Sequence, residues 1–504
     1  MSRTLSIKER RTVKKILFFI GLTIILTINY MYNFMDSQNN AFNDFQADSE
    51  TLVTGIIFAD CRELDNMQYG LGRYYTKSGP LMSRYGTNYT YLTDENWTLG
   101  YSNYTAQLIF DKNYYTQTYA VEGNFIKFAT GEIFPIISSM EDDEYLVVSL
   151  ASDEPLNVSQ YGSLSETAFL DQEGRKLPDS AVEIYKSQYG LQGKVFRFMA
   201  NSLGMEIQEG DKTVYHLICS VLTGLTFVML VWLIRIKYGN LLASCFYITF
   251  LLSPWVVNFA KNLYWVEFTW FIPMLVGLFC SIYIDNKKWR AISYIAAYTS
   301  ILIKSLCGYE YISTIMLGMT SFLVTDIIYM LISHTDKRKI GIAFRTFFLT
   351  SLFALAGFIT AFIIHAYYRG EGIWQGIQYI ILEDAIRRTR GIDNTVDVSL
   401  WYVLGRYFQF QTEIITGIPG NLFVIICTIP ICIFIYEYVT GKINWKDVIL
   451  YGVFFLTSIS WFCLAKNHAY VHTHMNYVLW YFGYIQICIY VIVKRFAKFC
   501  KGKA

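Results

Sequence analysis

The chain is organised around the stretch FQADSETL, residues 45–52, which lies a short distance beyond the first long hydrophobic run. Two carboxylates, Asp48 and Glu50, stand one residue apart at the head of the apolar run LVTGIIF, residues 52–58. A carboxylate held near lipid head groups can take a proton from an incoming hydroxyl group. The alternative interpretation is that Asp48 caps the helix that follows and that Glu50 lies in its first turn. The stretch alone leaves both interpretations open.

The composition is that of a membrane protein. Of the 504 residues, 54% are hydrophobic and only 16% are charged, which is far from the balance of an ordinary soluble domain. The net charge is +2, so the chain lacks the strongly basic field that favours a nucleic-acid partner. We therefore expect a membrane partner and no nucleic acid.

Acidic residues are concentrated in residues 36–212, which hold 26 of the 40 acidic residues but only 12 of the 42 basic ones. This segment predicts an α+β extracytoplasmic domain inserted between the first two transmembrane helices. The β-rich runs are 108–110, 125–128 and 144–150, and Glu173-Gly174 has the composition of a hairpin tip. From Ser180 to Leu203 the pattern favours a helix.

The rest of the chain predicts a mainly α, polytopic membrane protein with about ten transmembrane helices. Residues 1–35 form a basic N-terminus and a first, uncleaved span from Ile16 to Tyr32. Residues 213–504 hold nine more spans, with a long outer loop at 367–418. These spans lie near 213–234, 240–259, 264–284, 290–305, 310–332, 343–366, 419–439, 447–465 and 475–493. Every turn that this arrangement places inside is basic, so we expect an integral protein of a bacterial plasma membrane with both termini in the cytoplasm.

Ionisable residues near the spans collect at the predicted outer face. Because charge inside a membrane is costly, such residues are candidates for function. Besides Asp48 and Glu50 as catalytic candidates, the candidate substrate-binding residues are Lys261, Lys304, Tyr309, Glu310, Arg387, Arg388, Lys466, His468, His472 and His474. The cations could bind a lipid phosphate, for which the planar fork of arginine is suited, or they could form solvated loops and salt bridges to the acidic domain.

Three of the six histidines lie in the pattern HxxxHxH, residues 468–474. No Cys, Asp or Glu is near in sequence, so we predict no metal site, although zinc is conceivable. Hydrogen bonds to a sugar or a phosphate, an acid/base role, and helix capping are the other interpretations. In the long outer loop, residues 373–386 have helical periodicity, which is typical of a helix lying at the membrane interface or packing on the soluble domain.

A first span, an outer loop that opens on Asp48-Ser49-Glu50 before an apolar helix, and many further spans together resemble the GT-C class of integral-membrane glycosyltransferases. The resemblance implies transfer of a sugar from a polyprenyl- or dolichyl-phosphate carrier to a glycan, lipid or protein acceptor outside the cytoplasm, without a cofactor. Synthesis of a cell-envelope polysaccharide is the expected setting. The class typically carries its catalytic carboxylate in the first outer loop, often as an adjacent Asp-Glu pair. Here one residue intervenes, so either carboxylate could be the base of an inverting transfer, and Asp48 is preferred.

Three other classes compete with this hypothesis. A lipid or polysaccharide transporter or flippase needs charge near the membrane midplane and broken helices in repeated halves, whereas charge here lies at the outer ends, with Asp326 as the main exception. A membrane-bound acyltransferase would use histidine but does not require the carboxylate pair. A surface adhesion or sensor protein does not need nine spans beyond its anchor.

Overall fold

The chain folds as two units in a computed structural model. The smaller unit consists of Thr51–Tyr185 and Arg197–Ile207, and the larger one consists of Met1–Glu50, Lys186–Phe196 and Gln208–Ala504. The structure describes residues 7–35, 42–61, 69–76, 93–98, 101–141, 145–152, 166–204, 212–386, 399–410 and 412–501.

The helices are numbered along the chain. They are α1 Ile7–Tyr32, α2 Ala47–Cys61, α3 Tyr114–Tyr119, α4 Leu191–Leu203, α5 Thr213–Tyr238, α6 Asn240–Leu252, α7 Pro254–Ala260, α8 Phe268–Ile282, α9 Lys287–Cys307, α10 Ile312–Ile332, α11 Lys337–Arg369, α12 Ile373–Tyr379, α13 Leu400–Phe408, α14 Phe423–Val439, α15 Trp445–Leu464, α16 Lys466–Val471, α17 Thr473–Asn476 and α18 Tyr484–Lys501. A π-helix, Ile380–Ala385, follows α12, and two 3₁₀ turns, Gly420–Leu422 and Tyr477–Tyr481, lead into α14 and α18.

The strands are numbered in the same way. They are β1 Gly72–Thr76, β2 Thr93–Thr98, β3 Tyr101–Asp111, β4 Phe125–Lys127, β5 Ile133–Glu141, β6 Tyr145–Ser152, β7 Ala168–Leu170, β8 Ser180–Ile184, β9 Glu413–Ile415 and β10 Ile418–Pro419.

The smaller unit is built on an antiparallel sheet of six strands in the order β2-β3-β6-β5-β4-β7. Side chains of a strand alternate between its two faces. In β6, Leu146, Val148 and Leu150 accordingly point into the core, where they pack with Phe110 and Phe169. The β-rich runs of the sequence thus become the centre of the sheet.

One predicted boundary in this region is wrong. Ser180–Ile184 is not the start of a helix but the strand β8, which pairs antiparallel with β1, and α4 begins only at Leu191. Gly190, at φ +73, separates the two elements with a left-handed backbone that suits glycine. The hairpin tip at Glu173-Gly174 is confirmed, because Gly174 has φ +78 and Leu170 bridges to Lys176 on the other side of the turn.

The larger unit is mainly helical and is compatible with an integral membrane protein. Six of its described helices are long and apolar enough to cross a membrane: α1, α5, α10, α11, α14 with its 3₁₀ turn, and α15. Two bent pairs raise the number to eight if each pair is one span. The first pair is α6 and α7, bent by 66°, and the second runs from Thr473 through α18, bent by 50°.

The predicted count of about ten differs from this number by two helices, α8 and α9. Helix α8 has only 15 residues, and α9 carries charge at both of its ends, including Lys287 and Lys304. Neither therefore meets a criterion based on length and hydropathy alone. The count of ten and the predicted orientation of the termini stay predictions.

The helix ends of the larger unit fall into two groups. At one of them, which we call the basic end, the last turns of α5 and α8 meet the second half of α10, because Lys237 bonds to both Ser281 and Asp326. At the same end of the unit, Lys494 and Arg495 of α18 pair with Asp447 of α15, and Arg495 also pairs with Glu437 of α14. We call the other group the site end, since the beginning of α5 and the end of α9 lie there with Asp48 and Glu50.

Candidate functional site

Asp48 and Glu50 lie on different faces of helix α2. Gln46, immediately before the helix, has a left-handed backbone with φ +57, and the helix begins at Ala47. Residues two apart on an α-helix point about 200° apart. Asp48 is consequently exposed, whereas Glu50 is buried. The two carboxylates that the sequence offered as the base, with Asp48 preferred, therefore have different surroundings.

Glu50 is held by three groups of the larger unit. Its Oε2 lies 2.9 Å from Nζ of Lys212, and its Oε1 lies 2.9 Å from Nε2 of His216. The backbone N–H of Leu263 donates to Oε1 over 3.0 Å. Burial alone raises the pKa of Glu50, but the hydrogen bond and charge of His216, the charge of Lys212 and the Leu263 amide outweigh it and lower the pKa to about 2. A carboxylate with so low a pKa is a poor proton acceptor at neutral pH, so its geometry suits an anchor for α2.

The short segment NLYW, residues 262–265, is the hub of the site end. Oδ1 of Asn262 accepts from the backbone N–H groups of Tyr264 and Trp265 at 3.0 and 3.2 Å, which folds the segment into a turn. Nδ2 of Asn262 donates to the carbonyl oxygen of Phe45 at 3.3 Å, and the Leu263 amide holds Glu50. The start of α2 is therefore fixed to the α7–α8 connection by backbone contacts as well as by charge.

One of the predicted histidines, His474, lies beside Gln46, the residue that precedes α2. Nε2 of Gln46 is 3.3 Å from Nε2 of His474, and the ring centres of His472 and His474 are 5.9 Å apart. The rings of His468 and His472 are closer, at 4.4 Å. His474 is exposed, as is Asp48, which follows Gln46 by two residues. Among the described residues, no group of three or more His, Cys, Asp or Glu side chains is arranged to hold a metal ion.

The second predicted group, Lys304, Tyr309 and Glu310, is engaged in internal contacts. Nζ of Lys304 donates to the carbonyl oxygen of Gly308 at 2.6 Å, and the side chain is 2% exposed. Nε2 of Gln188 donates both to Glu310 and to the hydroxyl of Tyr264, the latter at 2.8 Å. These contacts connect the group to the hub, but they leave Lys304 and Glu310 buried rather than open to a substrate.

Tyr309 has a partner that the sequence analysis did not select. Its hydroxyl lies 3.2 Å from Nδ1 of His365, and Nε2 of that ring lies 3.1 Å from the carbonyl oxygen of Lys186. Because a carbonyl can only accept, Nε2 carries the proton and Nδ1 accepts from the tyrosine. The signal for His365 was its position as a lone histidine inside a predicted span.

The remaining predicted cations have varied positions. Nζ of Lys261 lies 3.8 Å from the ring centre of Phe42 and 3.3 Å from Oδ1 of Asn43, and burial lowers the pKa of this lysine. Lys466 is half-buried at the start of α16. Arg387 and Arg388 lie outside the described residues.

Sequence reasoning also missed the partners of Glu50. Lys212 and His216 are four residues apart at the start of a span, a spacing that puts them on one face of a helix. Two basic groups on one face at the predicted outer end of an apolar helix were the available signal. Glu267, which comes just before α8, is also outside the selected residues, yet both of its carboxylate oxygens are buried and have no hydrogen-bond partner in the described part of the chain.

The backbone is strained at three points of this end. Gln46, Val266 and Tyr311 have φ values of +57, +39 and +62. A β-branched residue such as Val266 rarely adopts this conformation, and such residues cluster where the surrounding structure fixes a site. The ring of Tyr311 stacks on that of Trp265 at 6.1 Å, and its hydroxyl donates to Oδ1 of Asn476 at 2.7 Å. The strain thus lies where the hub, α2 and α10 meet.

Comparison of the chain with known protein families, characterised proteins and solved structures gave no match. The function is therefore argued from the geometry of this site.

Proposed function

We propose that the protein is an inverting glycosyltransferase that moves a sugar from a polyprenyl-phosphate carrier to an acceptor hydroxyl. The reaction takes place at the site end of the larger unit. The observation that carries the proposal is the division between the two carboxylates of α2. Glu50 is held by Lys212, His216 and the Leu263 amide, and Asp48 is exposed two residues after Gln46, whose side chain contacts His474. An accessible carboxylate on a fixed helix turn, next to side chains that can donate hydrogen bonds, is an arrangement suited to general base catalysis.

In the proposed reaction Asp48 accepts the proton of the acceptor hydroxyl group. At the same time, the oxygen of that hydroxyl group attacks the anomeric carbon of the donor sugar. The bond between that carbon and the carrier phosphate breaks, and its electron pair leaves with the phosphate. The leaving group requires stabilisation of negative charge more than protonation. His472, His474 and Lys261 are the candidates that we assign to supply it, and Lys466, His468, Arg387 and Arg388 are further candidates. The reaction needs no cofactor or metal ion.

Lys304, Tyr309 and Glu310 have a different role in this proposal. Their contacts with Gly308, His365 and Gln188 are internal, and they hold the end of α9 and the start of α10 against the hub. We assign them to positioning the hub and therefore α2, instead of to direct phosphate binding.

The test is a donor-consumption assay with purified protein and a panel of radiolabelled polyprenyl-phosphate sugars. We expect the wild type to release polyprenyl phosphate from at least one donor. Asp48→Asn should lower that rate roughly 100- to 10,000-fold, the usual contribution of a positioned base. Asp44→Asn is the matched control, because Asp44 is an exposed carboxylate in the turn just before α2. Full activity of Asp48→Asn, or equal loss in Asp44→Asn, would contradict the assignment of the base.

A transporter of a lipid or polysaccharide is the second candidate, and one set of observations favours it. Two spans are broken, at Ser253–Pro254 and near Gly483, and broken helices are typical of transporter sites. The ring centres of Trp255 and Tyr477, beside these two breaks, are 4.9 Å apart. Glu267 adds a buried carboxylate of the kind that relays protons in such proteins.

The two candidates differ in what they do to the donor. A transporter reconstituted in vesicles would move the labelled lipid between leaflets and leave it chemically intact, and Glu267→Gln would slow that movement. A transferase would cleave the donor in detergent, where there are no leaflets. Cleavage in detergent that depends on Asp48 supports the first proposal, and movement without cleavage supports the second.

A further inference from the structure

A groove runs along α1 at the basic end, far from the site just described. It encloses about 350 Å³ between α1, α5 and α6. Phe18, Leu22, Val231 and Ile248 form its apolar walls, and Arg235 and Asn240 lie at its mouth. A second groove of about 440 Å³ on the other side of α1 is lined by apolar residues and Ser293, and nothing in the structure commits it to an occupant.

Arg235 differs from its neighbours at the basic end. Lys237, Lys494 and Arg495 each pair with a carboxylate. The guanidinium of Arg235 instead donates through Nε to Oδ1 of Asn240 at 2.8 Å and lies 5.6 Å from the ring centre of Trp232. No carboxylate of the described residues forms a salt bridge with it. Arg235 is exposed, with its planar fork held in place at the mouth of an apolar groove.

A second cation lies on α1, one helical turn beyond the lining of the groove. Lys14 is one turn before Phe18 on α1, so the two share a face of the helix, with Lys14 about 6 Å nearer the basic end. Lys14 is exposed. The groove therefore combines apolar walls with one lining cation, Arg235, and has a second cation, Lys14, on the adjoining turn of α1.

We propose that this groove binds an anionic phospholipid, with its phosphate on Arg235 and Lys14 and one acyl chain along Phe18, Leu22 and Ile248. Arginine pairs with phosphate oxygens bidentately, and basic pockets between transmembrane helices favour anionic head groups. The acyl chain covers the apolar walls, which no other described part of the chain covers. The bound lipid fixes α1 to α5 and α6, and it belongs to the membrane leaflet at the basic end.

The proposal is tested by native mass spectrometry of the detergent-purified protein titrated with phosphatidylglycerol or phosphatidylcholine. We expect the wild type to retain phosphatidylglycerol in preference to phosphatidylcholine. Arg235→Gln should weaken phosphatidylglycerol binding about 5- to 10-fold, since one cation near a membrane surface contributes roughly that factor. Lys288→Gln removes the same charge from an exposed position at the basic end outside the groove, and it should bind as the wild type does.

A second variant separates a loss of binding from a loss of folding. Ser244→Phe fills the groove from α6 and leaves Arg235 in place, and it should also lower the fraction of protein that retains the lipid. Each variant is accepted only if its elution volume and helix content match the wild type. Equal binding of the two lipids by the wild type, or equal weakening by Arg235→Gln and Lys288→Gln, would overturn the proposal.

Discussion

At the scale of single residues, Glu50 shows how a carboxylate can be charged and still unsuited to catalysis. Against the effect of burial, the contacts with His216, Lys212 and the Leu263 amide hold its pKa at about 2, whereas an ordinary glutamate has a pKa near 4.5. This difference corresponds to roughly 3 kcal/mol of stabilisation of the folded state at neutral pH. Most of that energy would be lost if Glu50 had to accept a proton during turnover.

The first prediction concerns the pH dependence of this contribution. Because the pKa is lower in the folded state, the stabilisation is fully present above about pH 4.5 and is lost as the pH falls towards about 2. Glu50→Gln should melt below the wild type at pH 7, and the difference should shrink below pH 4.5. Melting curves in detergent at a series of pH values check this. A difference that stays constant between pH 6 and 3 would contradict the ion-pair account, and Asp44→Asn should show no such dependence.

The second prediction concerns the left-handed backbone at Gln46, which has φ +57. Residues with a Cβ atom are destabilised by roughly 1–2 kcal/mol in this backbone conformation, and glycine is not. Gln46→Gly should therefore melt above Gln46→Ala, although both lose the contact with His474. The measurement is the melting temperature of the two variants side by side. If the alanine variant is the more stable one, α2 does not begin as described.

The sequence analysis selected the Asp48–Glu50 pair and preferred Asp48 as the base, but it could not predict that the two carboxylates have different surroundings. That difference depends on Lys212, His216 and Leu263, which are more than 160 positions away along the chain, and on which face of α2 meets them. Spacing in the sequence was enough to select site residues that share one helix face or one short motif, such as His468, His472 and His474. Gln188 could not be selected in this way, because its contacts with Tyr264 and Glu310 arise only in the fold, whereas His365 left one signal, its position inside a predicted span.

At the scale of elements, the long apolar helices were the most predictable part of the chain. Their hydrophobicity is a property of each segment alone, so α1, α5, α10 and α11 needed no knowledge of neighbours. The positions of helix breaks and the pairing of strands depend on more than the hydropathy of a segment. Ser253 caps α7 and Pro254 opens it, which bends the α6–α7 pair by 66°, and β8 exists because β1 pairs with it.

The third prediction concerns the close approach of α8 to α10. A Cβ atom on Gly277 would lie 1.6 Å from the carbonyl oxygen of Met319, so the helices could not stay at this distance. Gly277→Ala should lower the stability by roughly 1–3 kcal/mol, the usual cost of overpacking. Gly341→Ala is the control, because nothing lies within 4 Å of that position in α11, and it should be neutral or slightly stabilising. Equal melting temperatures of the two variants would contradict the described packing of α8 on α10.

At the scale of the whole chain, α8 and α9 decide between eight and ten spans. Ser281 at the end of α8 contacts Lys237 and Asp326, so the α8–α9 turn lies at the basic end, and Trp270 near its beginning contacts Tyr311 at the site end. Helix α8 therefore has contacts at both the basic end and the site end, despite having only 15 residues. Positive charge at the basic end favours the cytoplasmic side for it.

The fourth prediction tests that orientation with Asp285→Cys, an exposed position in the α8–α9 turn. A membrane-impermeant maleimide should not label this cysteine in intact cells and should label it after the cells are opened. Asp44→Cys, in the turn before α2, should be labelled both in intact cells and in opened cells. The labelling of the parent protein, which comes from its native cysteines, is subtracted from that of each variant. Labelling of Asp285→Cys in intact cells would contradict both the ten-span count and the assignment of the basic end to the cytoplasm.

The account is tested most directly by measuring turnover and melting temperature together for Asp48→Asn and Glu50→Gln. We predict that Asp48→Asn loses donor cleavage at least about 100-fold while its melting temperature stays near that of the wild type. Glu50→Gln should melt several degrees lower, yet the fraction that remains folded should still cleave the donor. The reverse pattern, with a stable and inactive Glu50→Gln beside an active Asp48→Asn, would contradict the division between anchor and base.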